Sequence, residues 1–489
     1  MRLKSLLLIP VLFLSACYPQ VPTDAVQEIE NGKEVLSQTL QWSSCDGGFE
    51  CASLVVPLNW LEQGRDYFEM ALIRPAGSGS LPPLVINPGG PGASGVSFVR
   101  DNLESIGTAN LRNSFQIIGF DPRGVGESEP VTCNDVDLKD QVFYGQSPYT
   151  FGSDADLEWS RGIYEEFARD CQLIGFDLGY FNTQQTARDL DLIRQALGLE
   201  TLDYLGYSYG TELGATYAAL FPDRVGKFVL DGAADPTISA GQTLLNQVAG
   251  FDGAFRNYLA DCLIGRDCPF AGSIDSGLAE VREFLSKLES STLPTQFDRE
   301  VGVTAAIYGI IAALYSKDSW PYLTQALTEA LDGDGTTLLM LADFYNDREN
   351  DEGYLTNINE ANFAINCADS ANAVDGPDLG NQIREASIVW GKYFSVPDIS
   401  CTGWPDGIGM VKLDYSVELS NPPLIIGTTG DPATPYEQAV SLAELLDGGK
   451  LLTLKGEGHT AYGSSICIDS LVDAYLDGED LGEGSLTCF

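Results

Sequence analysis

The sequence predicts an α/β fold: a mostly parallel sheet with helices on both faces and a large, mainly helical segment inserted before the last strands. Three observations predict it. Short apolar runs at 84–86, 115–120, 202–205 and 227–230 each end in Gly, Pro or Asp, with helix-patterned stretches between several of them, as buried parallel strands read. From about Asp235 to Val417 this alternation stops and long helical patterns take over. Strand runs then return at 424–427 and 450–454, with a helical 437–446 between them. A sheet interrupted and then resumed implies one α/β core with a cap over the C-terminal ends of its strands.

Taken in order, residues 1–16 read as an export signal and 17–44 as a tether and lead-in. Residues 45–234 form the first part of the core, 235–417 the helical cap insertion and 418–489 the rest of the core. The runs 54–57 and 68–74, around the turn-rich Glu62-Gln63-Gly64, suggest an antiparallel start. The clearest helix covers 183–199, where Ala187, Leu190, Ile193, Ala196 and Leu197 recur at helical spacing and Gly198 lies near the end. Residues 301–316 carry no charge, yet fall short of the roughly 20 residues a spanning helix needs. They predict a buried helix.

Composition narrows the function. The 489 residues, 44% of them apolar, can bury a large core. Seventy acidic against 27 basic residues give a net charge of −43, and no like-charge run is long enough to be a tail. An acidic folded surface repels phosphate backbones and anionic headgroups, which excludes nucleic-acid binding and electrostatic membrane adsorption. At the N-terminus Arg2 and Lys4 precede an apolar run and then Leu14-Ser15-Ala16-Cys17. That is the charged, apolar and small-residue order of an export signal, and it resembles the lipobox of bacterial lipoproteins, in which the cysteine is acylated. The cysteine here is Cys17, and its lipid is the membrane contact expected; ordinary cleavage near Ala16 is the alternative, with the chain secreted.

Ten further cysteines remain, an even number, with no C-x-x-C pair. One histidine cannot complete a Cys/His zinc site, so no metal is expected and disulfides are the better reading. Sequence alone leaves the connectivity open. Pairing neighbours in order joins Cys45 to Cys51, Cys133 to Cys171, Cys262 to Cys268, Cys367 to Cys401 and Cys467 to Cys488, closing loops of modest length.

The chemistry starts at Gly206-Tyr207-Ser208-Tyr209-Gly210, a G-x-S-x-G between a strand run and a helical stretch. In that setting a sharp turn lifts the Ser208 hydroxyl above the sheet edge, and the glycines are needed because side chains would collide there. A serine nucleophile needs a general base, and His459, the single histidine, follows the last strand run in Gly458-His459-Thr460. The third member is a carboxylate that orients the imidazole. Asp431, after the run 424–427 in Gly430-Asp431-Pro432, is the leading candidate; Asp231, one strand earlier, is the rival. An oxyanion needs donors: Gly90 and Tyr209 N–H are the expected pair, with Gly89 in reserve, because Asn87-Pro88-Gly89-Gly90-Pro91-Gly92 follows a strand and lets backbone approach closely. Asp121-Pro122-Arg123-Gly124 reads as a structural buttress of that loop.

Together these segments resemble the exported tripeptidyl aminopeptidase-type serine peptidases of actinobacteria, relatives of proline iminopeptidases on the α/β-hydrolase fold. The resemblance extends over nearly the whole mature chain. It includes 87–92, 121–124, the turn around Ser208, Ala313-Leu314-Tyr315-Ser316 with Trp320-Pro321, 364–369 around Cys367, Trp404-Pro405, 431–435 and Gly458-His459-Thr460. It implies a Ser208, His459, Asp431 triad, no cofactor, and hydrolysis of peptides near a free N-terminus. Proline iminopeptidases carry H-G-G-P-G where this chain has 87–92 without the histidine, so their specificity is not carried over. An aminopeptidase needs an acceptor for the substrate ammonium, for which Asp369 is the candidate. Peptides are the expected partners; the oligomeric state is not legible. An esterase or lipase using the same triad and a non-catalytic lipid-anchored binding protein are the rival readings.

Overall fold

The computed structural model describes residues 35–62, 66–370, 375–482 and 484–489. The signal segment, Cys17 and the turn residues Gln63 and Gly64 lie outside them. The strands are β1 (Ser43–Cys45), β2 (Phe49–Pro57), β3 (Tyr67–Pro75), β4 (Pro83–Asn87), β5 (Gln116–Phe120), β6 (Leu202–Tyr207) and β7 (Val225–Asp231). A two-stranded hairpin, β8 (Arg348–Glu349) and β9 (Gly353–Tyr354), precedes β10 (Leu424–Gly430), β11 (Lys450–Glu457) and β12 (Leu486–Cys488). Among the described residues ten of them form one sheet in the order β1-β2-β3-β5-β4-β6-β7-β10-β11-β12. The strands β1, β2 and β3 are antiparallel, as is the β3–β5 junction, and every pairing from β5 onward is parallel. This is the predicted α/β architecture with its antiparallel start.

Burial explains the pattern. β5 is buried at every residue and β4 at four of five, because helices cover both faces. β3 lies nearer the antiparallel edge and alternates along its first half. One apolar cluster, including Val85, Ile118 and Tyr204, fills one face; a second, including Ile86, Ile117 and Leu205, fills the other. Successive residues of one strand thus serve opposite cores. Each large aliphatic side chain so buried contributes about 1.5–3 kcal/mol.

A third cluster joins the helices Ala240–Ile264, Ile274–Leu288, Val303–Leu314, Trp320–Leu331 and Thr336–Tyr345. The predicted buried helix 301–316 is there, but shorter: Val301 instead bridges to Leu293, and Ser316 caps the following 3-10 turn. The helix predicted over 183–199 is Thr183–Ala196, capped by the Asn182 side chain on Gln185 N–H and stopped where Gly198 adopts φ 71°. Inside the helical insertion, Ile358–Ser370 buries Ala361, Ala364, Ile365 and Cys367 in the sheet's own cluster. Disulfides join Cys45–Cys51, Cys133–Cys171, Cys262–Cys268, Cys367–Cys401 and Cys467–Cys488. Among the described residues no helix is long and apolar enough to cross a membrane.

Candidate active site

The sequence-predicted residues gather at the C-terminal ends of adjacent strands. Gly89 and Gly90 follow β4, Ser208 follows β6, Asp231 ends β7, Asp431 follows β10 and His459 follows β11. Ser208 adopts φ 55° and ψ −124° between β6 and the helix Tyr209–Leu220. Few non-glycine residues hold that conformation. It is sustained by the Ser208 N–H donating to the Asp231 carbonyl at 2.8 Å, and by glycines where a side chain cannot fit. A Cβ on Gly206 would come within 2.3 Å of the Gly210 carbonyl oxygen, and one on Gly210 within 2.8 Å of that of Asn87.

His459 is held through one ring nitrogen. Nδ1 lies 2.9 Å from both oxygens of Asp431, so the network assigns its proton there. Asp431 is buried and oriented in turn: Ala433 and Thr434 N–H donate to Oδ1 at 2.9 Å, and the Thr434 hydroxyl donates to Oδ2 at 3.1 Å. The second ring nitrogen, Nε2, is buried and has no hydrogen-bond partner; the Ser208 hydroxyl does not bond it in this structure. Burial pulls the imidazole pKa down, but the Asp431 carboxylate, with Asp231 behind it, outweighs burial and holds it above its ordinary value.

Asp231 takes a different position from Asp431. Its carboxylate accepts from Ala461 N–H at 3.0 Å and Tyr462 N–H at 2.8 Å. One residue therefore brackets the serine turn through its carbonyl and the histidine loop through its carboxylate. Burial pushes that carboxyl up to about 6 against these two donors.

On the other side of Ser208, a Cβ on Gly89 would come within 3.0 Å of the Ser208 Cβ and 3.3 Å of Tyr209 N. The Gly89 N–H donates to the Asn87 side chain at 3.0 Å, whereas the Gly90 N–H has no acceptor among the described residues. Tyr209 N–H belongs to the first helical turn, whose donors lack intrahelical acceptors. Asp121 ties down the segment that follows, accepting from the Ser94 hydroxyl at 2.6 Å and Val96 N–H at 3.0 Å. Asp369 gives one oxygen to Thr183 N–H (2.9 Å) and the other to the Thr183 hydroxyl (2.6 Å), which in turn meets the Tyr209 phenol. Burial pushes Asp369 up to about 6.

A buried imidazole with one nitrogen on a carboxylate and the other unpartnered, beside a strained serine turn, is suited to proton transfer in acyl chemistry. The chain belongs to the α/β-hydrolase family, whose alpha/beta hydrolase fold description matches residues 82–464; it is a serine hydrolase resembling the tripeptidyl aminopeptidases. It is 36% identical over 473 residues to the serine protease Hip1 of Mycobacterium tuberculosis, covering 91% of this chain and 89% of that protein. It is also similar to carboxylesterase B of the same species (34% over 477 residues, 94% and 91%) and to the tripeptidyl aminopeptidase of Streptomyces coelicolor (30% over 461 residues, 89% and 83%).

Three contributors escape sequence reasoning. Tyr315, at the end of the helix Val303–Leu314, accepts from His459 N–H at 2.8 Å through its carbonyl and sets its ring edge-on to the imidazole at 5.5 Å. Thr434 shares the carboxylate of Asp431. Asn362 donates to the Pro91 carbonyl at 3.0 Å, docking the helix Ile358–Ser370 on the glycine loop. Tyr315 and Thr434 do fall in segments that carry the family resemblance, but that signal says nothing of what they touch.

Proposed function

We propose that the chain is an exported serine aminopeptidase that releases short peptides, of tripeptidyl type, from free N-termini. The observation that carries the reading is His459, anchored at Nδ1 by Asp431 and unpartnered at Nε2, on a loop bracketed to the Ser208 turn. Ser208 attacks the scissile carbonyl while His459 Nε2 takes its proton. Gly90 and Tyr209 N–H receive the oxyanion, and His459 returns the proton to the leaving amine. Water then attacks the acyl-enzyme, with His459 again as base. Asp431 keeps the imidazole tautomer and stabilises its cation.

The helical insertion 235–417 acts as the cap that limits how far the peptide extends past the cut. For the substrate ammonium we propose Asp369, whose oxygens keep lone pairs beyond those used by Thr183. Burial, and then the charges of Asp369 and Asp235, push the neighbouring Glu212 up to about 8, so it stays neutral beside the Asp369 carboxylate near pH 7. Acylation of Cys17 after removal of 1–16 tethers the enzyme to the outer face of the cytoplasmic membrane; without the lipid it is secreted. The likeness to a protein named tripeptidyl aminopeptidase and one named serine protease supports a peptide substrate.

Cleavage of a peptide library with free and with N-acetylated termini tests the reading. Products should come only from free termini, and equal cutting of acetylated peptides would end the exopeptidase reading. Ser208→Ala should abolish turnover and labelling by a fluorophosphonate. The likeness to a carboxylesterase favours a second reading, ester hydrolysis by the same triad; relative turnover of matched amide and ester substrates separates the two.

A further inference from the structure

From the Tyr315 ring beside His459, a chain of aromatic contacts leads outward through tyrosines of separate elements. The Tyr345 ring packs on Tyr315 at 6.0 Å, and Tyr308 stacks on Tyr345 at 5.3 Å with an interplanar angle of 23°. Tyr164, from the helix Asp154–Cys171, is close enough that its phenol and that of Tyr345 act together with burial to raise Tyr308. Tyr164 in turn packs on Phe363 at 6.0 Å. Phe363 lies on the helix whose Asn362 holds the Pro91 carbonyl. This aromatic surface therefore runs from the imidazole to the helix that braces the glycine loop.

These rings lie at the edges of the apolar clusters rather than inside them, Tyr164 against the sheet's cluster and Tyr308 and Tyr315 against that of the helices. Tyr345 is 37% exposed and its neighbour Phe344 82%; Tyr164 and Tyr308 are half-buried. Neither the Tyr164 nor the Tyr308 hydroxyl has a hydrogen-bond partner among the described residues. A surface of rigid aromatic faces with free phenols at its rim suits an amphipathic guest with an apolar body. Its contact chain to His459 identifies that guest as part of the substrate. The Tyr345 ring lies no more than about 12 Å from the imidazole, and an extended chain advances about 3.3–3.6 Å per residue, so the site is within about three residues of the cut.

We propose that Tyr345 and Tyr308 form a side-chain subsite that takes a large apolar or aromatic residue of the peptide, within three residues of the scissile bond. The proposal rests on the peptidase reading above and names a preference that reading leaves open. A hydrophobic pocket discriminates between side chains differing by single methylenes by about 10- to 200-fold. A phenylalanine should therefore be preferred to alanine at one position of the peptide by at least the lower figure.

Free-N-terminus tripeptide p-nitroanilides carrying Phe or Ala at each position test it. In Tyr345→Ala the Phe-to-Ala ratio of kcat/KM should fall about 10-fold at one position, and Tyr345→Phe should restore it. A purely structural role, acting through Tyr315 on His459, would lower both substrates alike and leave the ratio unchanged; that result at all three positions overturns the proposal. Fluorophosphonate labelling of Ser208 reports folding, and Tyr308→Ala is scored in the same way if Tyr345→Ala does not fold. If the wild-type chain cleaves no peptide, the peptidase reading has failed. The subsite is then read from p-nitrophenyl acetate against p-nitrophenyl 3-phenylpropionate, where an unchanged ratio in both alanine variants overturns it.

Discussion

Ser208 occupies backbone space that costs about 1–3 kcal/mol, and the surrounding contacts that hold it there also set its chemistry. Asp231 is the residue to probe. In Asp231→Ala the carbonyl that accepts from Ser208 N–H remains, while the Ala461 and Tyr462 N–H groups lose a charged acceptor, a loss of about 1.5–3 kcal/mol per bond. We expect kcat to fall about 10-fold with KM changed little, since the histidine loop loosens and the substrate contacts do not. The pH profile adds a readout. Under the proposed mechanism His459 must be neutral to accept a proton, so activity should be present above its pKa and lost as pH falls through it. That pKa lies above the ordinary 6.5, which places the acid limb of kcat/KM on the alkaline side of 6.5. Removing the Asp231 charge should shift the limb downward. Asp431→Asn, which presents the wrong tautomer to Ser208, should lower kcat about 10⁴-fold.

Among the elements, the first strands and the helix Thr183–Ala196 are locked together by one buried pair. Arg123 and Asp189 are both fully buried, with Nε and Nη2 of the guanidinium at 2.8 and 2.7 Å from the two carboxylate oxygens. Arg123 also donates to the carbonyls of Pro57, Leu58 and Tyr180, so it closes the end of β2 and the turn before the helix as well. Breaking such a pair from one side leaves a buried charge without a partner. Asp189→Ala should destabilise by about 3–5 kcal/mol in urea denaturation, while any folded fraction still labels at Ser208. Tyr315 belongs to this scale too: the helix Val303–Leu314 ends on the histidine loop, where the Tyr315 carbonyl accepts from His459 N–H.

For the whole molecule, the dominant quantity is negative charge. The fold carries −43 on 489 residues, and it also buries carboxyl groups that burial pushes up: Asp121, Asp231 and Asp369 to about 6 and Glu212 to about 8. A carboxyl whose folded pKa exceeds its unfolded value favours the folded state when protonated. Its contribution is complete below the unfolded pKa near 4 and is lost as pH rises through the folded one. Stability should therefore decline between pH 5 and pH 8.5, read as a falling Tm, while the His459 requirement makes activity rise over the same range. Added salt should raise Tm at pH 8 by screening the surface. A Tm that rises with pH would contradict this assignment of the buried acids.

The sequence by itself determined the alternation that makes a parallel sheet, the place where that alternation breaks, and the Gly-Tyr-Ser-Tyr-Gly turn. Each depends on periodicity or on collisions between near neighbours, such as that of Gly206 with Gly210. The chain ends of short elements were less legible: β12 and the β8–β9 hairpin are two or three residues long and carry no period to detect. Asp231 and Asp431 both follow strand runs and look alike in the sequence, and only the tertiary structure shows what each carboxylate touches. The backbone of 461–462 claims the carboxylate of Asp231, and that of Asp431 meets Nδ1. The same holds for which cysteines meet, for Tyr315 on His459, and for the tyrosines that gather beside it. Apart from the short disulfide loops Cys45–Cys51 and Cys262–Cys268, those contacts join residues that no local window spans, and what brings them together is the packing of whole elements.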